Sequence, residues 1–316
     1  MEGYNILITS ISKKVPLIKA VRKASQKLGN KGKIIGADIN PNCIGKFFVD
    51  SFWEMPSIHE ISINELTNYC ANNNIKAIVP TRDGDLPFFA NYKEELLNQK
   101  INVHISDKET IEVCLDKLSF YSKLLQLNYP AIPTVKNINL LNSYYFVVKE
   151  QFGAGSKNIG IKLTKEEAVK KSLEMEKPIF QPYIEGEEYS IDVYVTERKQ
   201  TKGLIVRRRV LVENGESQIT STEKNNNVEQ LFSKIAEDLG LYGHVVFQAI
   251  IDQYGRVHII ECNSRFGGAS TLSIAAGLDS FYWFFIESSG LNIDHYKFER
   301  CSNEKTQIRY AEDMLL

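Results

Sequence analysis

The chain has 316 residues, 43% of them hydrophobic and 24% charged, and 38 basic against 39 acidic side chains leave a net charge of -1. That balance gives no global pull toward nucleic acid or anionic membrane, so any anion site has to be built locally. The length suits two or three domains with a buried core, and no apolar stretch approaches the roughly 18–20 residues of a membrane span.

The five cysteines are scattered, odd in number and form no CxxC pair. This argues against a disulfide framework or a zinc site and for a reducing, cytoplasmic setting. The opening stretch, MEGYNILITS, lacks the basic flank and long apolar core of a signal peptide.

NILITS (5–10), KIIGADI (33–39), AIVPT (77–81) and INVHIS (101–106) read as strands, with helical patterns between them such as VPLIKAVRKASQKLG (15–29). Strand–helix alternation of this kind predicts a doubly wound parallel sheet. The turn after the first strand, SISKK, has no GxGxxG, so a dinucleotide site is not expected there. VPTRDGDLP (79–87) sits at a strand's carboxyl end, where open α/β sheets bind ligands. Arg82, Asp83 and Asp85 either contact an amine-bearing substrate or cap the following helix, and the capping reading is preferred.

Residues 107–130 read as one long helix, capped by Asp107 and ended by Pro130. Beyond it the pattern becomes α+β with mostly antiparallel strands: YYFVVKE, PIFQPYI, EYSIDVYV, GLIVRRRVLV, HVVFQAIID and VHIIECN. A domain boundary is expected near residue 108, and the chain after residue 290 carries no readable motif.

Four stretches carry chemistry. In VVKEQFGAGSKNIG a strand ends on Lys149 and a loop with Gly153, Gly155, Ser156 and Gly160 follows. Glycines let backbone N–H groups turn toward an anion, and the lysine adds a point charge. A flexible hairpin connection would read the same way, and the order of residues is not that of a P-loop. In FQPYIEGEEYSID, Glu185, Glu187 and Glu188 are either solvated turn charges or carboxylates for a ribose hydroxyl pair.

HIIECNSRFGG (258–268) places Glu261, Asn263 and Arg265 on one face of a strand, because side chains alternate. Ile260 and Cys262 then form the apolar face. A hairpin through QYG brings Gln248 beside them, and oxygen donors of this kind suit Mg²⁺. Arg265 could instead neutralise Glu261 in a structural ion pair. Gly267 and Gly268 let backbone amides approach an anionic substrate. In GLIVRRRVLV, Arg207 and Arg209 share one face. They either hold a substrate carboxylate bidentately or lie along a solvent-facing strand, with Arg209 the preferred contact.

Taken together and in order, these stretches resemble the ATP-grasp superfamily, nearest to relatives of the carbamoyl-phosphate synthase large subunit and the pyrrolysine-pathway ligase. The resemblance implies a Rossmann-like preATP-grasp domain over residues 1–108, a two-lobed α+β ATP-grasp domain over 109–300, and a C-terminal segment, 301–316. It implies an ATP-dependent carboxylate–amine ligase acting through an acyl phosphate, with a kinase or a non-catalytic nucleotide binder as alternatives. Small-molecule carboxylate and amine substrates are expected as partners, with no nucleic acid or membrane; a homodimer would fit such ligases. ATP with Mg²⁺ (or Mn²⁺) is the implied cofactor pair. For ATP, the resemblance points to Lys117, Lys149, Gly153, Ala154, Gly155 and Ser156, the hinge Gln181, Tyr183 and Ile184, and Glu188 for the ribose. It points to Gln248, Glu261 and Asn263 for the metal, and to Arg265 beside the transferred phosphoryl group. Gln248 is a neutral ligand where other branches use a carboxylate, and Ser264 replaces a frequent proline.

Overall fold

The computed structural model describes residues 3–153, 155 and 158–315. Its first sheet is parallel and contains β1 (Asn5–Thr9), β2 (Ile34–Asp38), β3 (Ser51–Glu54), β4 (Ile75–Val79) and β5 (Asn102–Val103), in the order β3-β2-β1-β4-β5. The apolar runs of β1, β2 and β4 are almost wholly buried, as a parallel sheet covered on both faces requires. Helices α1 (Val15–Lys27), α2 (Ile63–Asn72), α3 (Leu86–Asn91) and α4 (Lys93–Asn98) connect the strands. Strand β3 was not expected, because SFWE is a short, half-exposed edge without an apolar run. From β1 the strand order runs outward in both directions, so the crevice at the carboxyl ends of β1 and β4 is a topological switch point.

The expected helix over 107–130 is two helices, α5 (Lys108–Leu115) and α6 (Lys117–Gln126). Asp116 breaks it by leaving helical geometry (φ -101°, ψ 108°) so that its carboxylate can accept the Leu118 and Ser119 N–H groups. Asp107 stands at the start of α5 without capping it. Its carboxylate is taken by Lys93 (2.7 Å) and Lys199 (2.8 Å).

A small sheet follows, β6 (Phe146–Glu150), β7 (Gly160–Leu163) and β8 (Pro178–Pro182), in the order β7-β6-β8. It is backed by α7 (Lys165–Ser172), whose start carries a reciprocal Thr164–Glu167 capping box.

The large antiparallel sheet is β9 (Gly186–Val195), β10 (Thr201–Glu213), β11 (Glu216–Glu223), β12 (Gly243–Asp252), β13 (Val257–Asn263) and β14 (Thr306–Ile308), in the order β13-β12-β9-β10-β11-β14. Its two faces differ in chemistry because side chains alternate. Ile191, Val193, Val206 and Phe247 pack against Phe232 and Ile235 of α8 (Asn226–Asp238). Ser190, Asp192, Arg207, Gln248 and Glu261 occupy the opposite face.

After β13 come α9 (Ser270–Ala275) and α10 (Ser280–Ser288). The latter buries Phe281, Trp283, Phe284, Phe285 and Ile286, so it is apolar almost all round. It lies between the two main sheets, packing with Ile18 and Val21 of α1 and with Tyr194 and Ile205 of the large sheet. Each such side chain contributes about 1.5–3 kcal/mol of burial free energy, and together they weld the first domain to the second.

One expectation about β13 is corrected. The register passes from Gln248↔Glu261 to Ala249↔Ile259, leaving Ile260 as an extra, bulged residue. A one-residue bulge reverses which side chains face inward. The apolar face is therefore made by Ile259 and Cys262, both buried, while Ile260 is only half-buried.

Candidate active site

Lys149 is the penultimate residue of β6, which runs on to Glu150, and its side chain is buried. Burial pulls its ammonium down to about 8; Glu261 and Glu188 pull it up, and Lys117 pushes it further down. Among the described residues no carboxylate lies within ion-pair distance of it. The small sheet and the large sheet therefore bring a buried, unpaired cation into the field of two carboxylates far away in the chain.

Lys117 opens α6, and its Nζ donates to the Gly153 carbonyl at 2.9 Å. The same junction is fixed by Gln151, whose Nε2 donates to Asp116 Oδ2 at 2.8 Å and whose carbonyl accepts the Lys117 N–H at 3.2 Å. Gly153 (φ 116°) and Gly155 (φ 75°) adopt left-handed conformations that favour glycine. Ala154 and Ser156 lie outside the described residues.

In the hinge, Gln181 is buried and its amide donates to Thr134 Oγ1 at 2.8 Å, so its side chain is occupied. The Tyr183 N–H donates to the Tyr145 carbonyl at 2.8 Å. Ile184 lies two residues beyond the end of β8, and the Lys162 ammonium stands 5.4 Å from the centre of the Tyr183 ring.

On the large sheet the register sets Glu261, Gln248, Ser190, Arg207 and Thr222 side by side in one row across five strands. Asn263 lies one step along and donates to Glu261 Oε1 at 3.3 Å. Arg209 Nη1 donates to Gln248 Oε1 at 3.0 Å and lies 3.3 Å from Glu188 Oε2. Its other nitrogens reach Ser217 and the Gly215 carbonyl. Arg265 Nη2 donates to Asn263 Oδ1 at 3.3 Å and pairs with Asp83 of the first domain. Gln248, Glu261 and Asn263 thus offer one carboxylate and two amide oxygens, a hard-oxygen set that fits Mg²⁺. Among the described residues no three His, Cys, Asp or Glu side chains form a metal cluster. A cation here would depend on further oxygens from a phosphate-bearing ligand.

Two expectations about substrate contacts are revised. Arg207 is buried, its Nε donating to Asp192 Oδ2 at 2.5 Å and to Ser273 Oγ at 3.1 Å, so it supports the sheet rather than facing the cleft. The Gly267 N–H is already bonded to Ser270 Oγ at 2.9 Å, which removes it as a free donor. At Gly268 a Cβ would lie 2.3 Å from Arg309 Nη2, so the guanidinium rests on this glycine and a side chain here would displace it.

Arg309 went unnoticed in the sequence. It follows β14, which adds to the edge of β11, and its Nη1 also pairs with Glu216 at 2.5 Å. Ser190, buried between Gln248 and Arg207, was missed as well. Its only sequence signal is a polar residue at an alternating position of an apolar strand.

On the side of Asp83, the switch point of the first sheet presents Lys14, whose Nζ donates to the Thr81 carbonyl and hydroxyl at 2.6 and 2.7 Å. Burial pulls Lys14 down to about 8, as does Arg265, against Asp85, Asp83 and Asp38. The preferred capping role for Asp85 is not seen. Its carboxylate accepts from Ser10 at 2.6 Å and from Arg82 Nε at 3.0 Å, and makes no cap bond to α3.

Residues 114–269 match the family model of the ATP-grasp domain, and residues 6–104 match that of the PylC-like N-terminal domain. Comparison with curated proteins finds no match. Among solved structures, the chain is similar to the biotin carboxylase domain of the Hydrogenobacter thermophilus 2-oxoglutarate carboxylase, crystallised with MgADP and bicarbonate. The TM-score is 0.77 at 15% identity over 97% of this chain and 74% of that one. It is also similar to N5-carboxyaminoimidazole synthetase from Staphylococcus aureus complexed with ADP (TM-score 0.70, 18% identity, 92% and 78% covered). A third is an L-amino acid ligase from Bacillus licheniformis (TM-score 0.66, 17% identity, 91% and 74% covered). At these identities the likeness is one of fold. With both domain models matched in order and the fold shared along nearly the whole chain, the protein belongs to the ATP-grasp superfamily.

Proposed function

We propose that the protein is an ATP-dependent carboxylate–amine ligase. The observation that carries this reading is the polar row of Glu261, Gln248 and Asn263 tied through Arg209 to Glu188, with the buried Lys149 feeling the charges of Glu261, Glu188 and Lys117. Lys117, Lys149 and the glycine loop would receive the phosphates, the hinge at 181–184 the adenine edge, and Glu188 the ribose. Mg²⁺, held by Glu261, Asn263 and Gln248, would supply charge neutralisation at the phosphates.

The γ-phosphoryl group passes to a carboxylate oxygen, breaking the bond to ADP and forming an acyl phosphate. An amine then attacks the acyl carbon, and phosphate leaves with the acyl C–O bond pair while the amine loses a proton. This chain's part is placement and charge. Arg265 lies beside the metal-ligand oxygens and can meet the transferring group, while Arg309, against Gly268, can hold the carboxylate. Biotin carboxylase, N5-carboxyaminoimidazole synthetase and amino acid ligase share this fold, which favours ligation over simple phosphorylation.

The test is phosphate release from ATP with pairs of amino acids and amines. A ligase releases phosphate only when both partners are supplied. A stable phosphorylated product from a single partner would mark a kinase, and ATP-dependent thermal stabilisation without turnover would mark a binder.

A further inference from the structure

Asp192 is wholly buried in the polar face of the large sheet, and four side chains donate to it or share a proton with it. Oδ2 accepts from Arg207 Nε at 2.5 Å and Ser273 Oγ at 2.9 Å. Oδ1 accepts from Ser270 Oγ at 2.5 Å and faces His244 Nε2 at 2.9 Å. Burial alone would raise this carboxyl; Arg207 and His244 overcome it and hold it far below the usual carboxylate range.

The arrangement is a costly way to fill an interior. Arg207 Nη1 is buried with no hydrogen-bond partner among the described residues, and apolar side chains of similar volume often stabilise as well as a buried ion pair. What the cluster does supply is geometry. Ser270 donates to Asp192 and accepts the Gly267 N–H, so the carboxylate fixes the serine and the serine fixes the turn. That turn begins two residues after Arg265, and Arg309 packs on its Gly268.

We infer that Asp192 is a positioning residue: through Ser270 it holds the Gly267–Ser270 turn, and with it the Arg309 guanidinium, in the shape that meets the substrate carboxylate. This rests on the ligase reading above, in which Arg309 holds the substrate carboxylate. Asp192 itself touches neither nucleotide nor substrate. Its loss should fall on the carboxylate side of the cleft and leave the nucleotide side alone.

The test uses the full chain with Ser270→Ala and Ser270→Thr, acetate as the carboxylate probe and Mg·ADP as the nucleotide probe. Three quantities are measured: exchange of the Gly267 amide hydrogen, Mg·ADP affinity by calorimetry, and the acetate response of the Arg309 Nε–H resonance. Ser270→Ala should speed Gly267 exchange at least tenfold and weaken the acetate response at least fivefold, with Mg·ADP affinity within twofold of wild type. Ser270→Thr, which keeps the hydroxyl, should restore both. Should the alanine variant fail to fold, Ser270→Cys, a weaker donor of similar size, must move the same two quantities in the same direction.

Equal weakening toward acetate and Mg·ADP would reveal a general structural role and overturn the inference. An unchanged acetate response in Ser270→Ala would overturn it too. A wild-type protein whose Arg309 resonance ignores acetate would instead sink the carboxylate site itself, and the inference with it.

Discussion

Replacing Lys149 with methionine should weaken nucleotide binding and at the same time stabilise the fold. The ammonium is buried near the end of β6 with no carboxylate partner among the described residues, and its pKa falls from 10.5 to about 8. At about 1.36 kcal/mol per pH unit, holding the charge there at pH 7 costs about 3 kcal/mol. The sign follows from proton linkage. Between pH 8 and 10.5 the unfolded chain binds a proton that the folded chain has released, so wild-type stability rises with pH across that window. Below pH 8 both states are protonated and the full cost is present.

Lys149→Met keeps the volume and removes the charge. It should therefore raise the midpoint of thermal unfolding at pH 7 by several degrees, on the order of 2 °C per kcal/mol for a chain of this size, and the advantage should shrink toward pH 10. Differential scanning calorimetry at pH 7, 8.5 and 10 reads the first effect. Titration calorimetry with Mg·ATP reads the second, where at least a tenfold loss of affinity is expected. A variant that is less stable than wild type at pH 7, or whose advantage does not change with pH, would refute the argument that the lysine is held charged at a cost. Unchanged nucleotide affinity would remove Lys149 from the phosphate site.

Glu261→Gln removes the sole carboxylate of the row it shares with Gln248, so Mg²⁺-dependent turnover should fall at least a hundredfold while circular dichroism stays native. Arg309→Ala should raise KM for the carboxylate substrate at least tenfold with KM for ATP unchanged, as steady-state kinetics with each substrate varied will report. Asp116→Ala removes the cap of α6 and the bond to Gln151. It should cost about 1–2 kcal/mol in urea unfolding, and because Lys117 hangs from the same junction, Mg·ATP affinity should fall several-fold.

Local patterning alone was enough to read the two sheet classes and the hairpin that joins Gln248 to Glu261. These are period-two and period-3.6 signals within single elements, together with residue types that suit phosphate and metal. The first sheet's buried apolar runs and the alternation in β9 and β12 are signals of that kind. Tertiary structure decided what those side chains meet. Arg207 and Arg209 are indistinguishable by alternation, yet one is buried against Asp192 and the other reaches Gln248. The bulge at Ile260 is a matter of pairing register, which needs the partner strand to be defined. Asp116 splits a periodic helix because its carboxylate finds backbone donors there. Arg309 reaches Gly268 because β14 pairs with a strand more than eighty residues earlier, and a contact of such separation leaves no mark on its own neighbourhood in the sequence. Periodicity constrains the face a residue occupies; only the packing of distant segments determines what stands opposite that face.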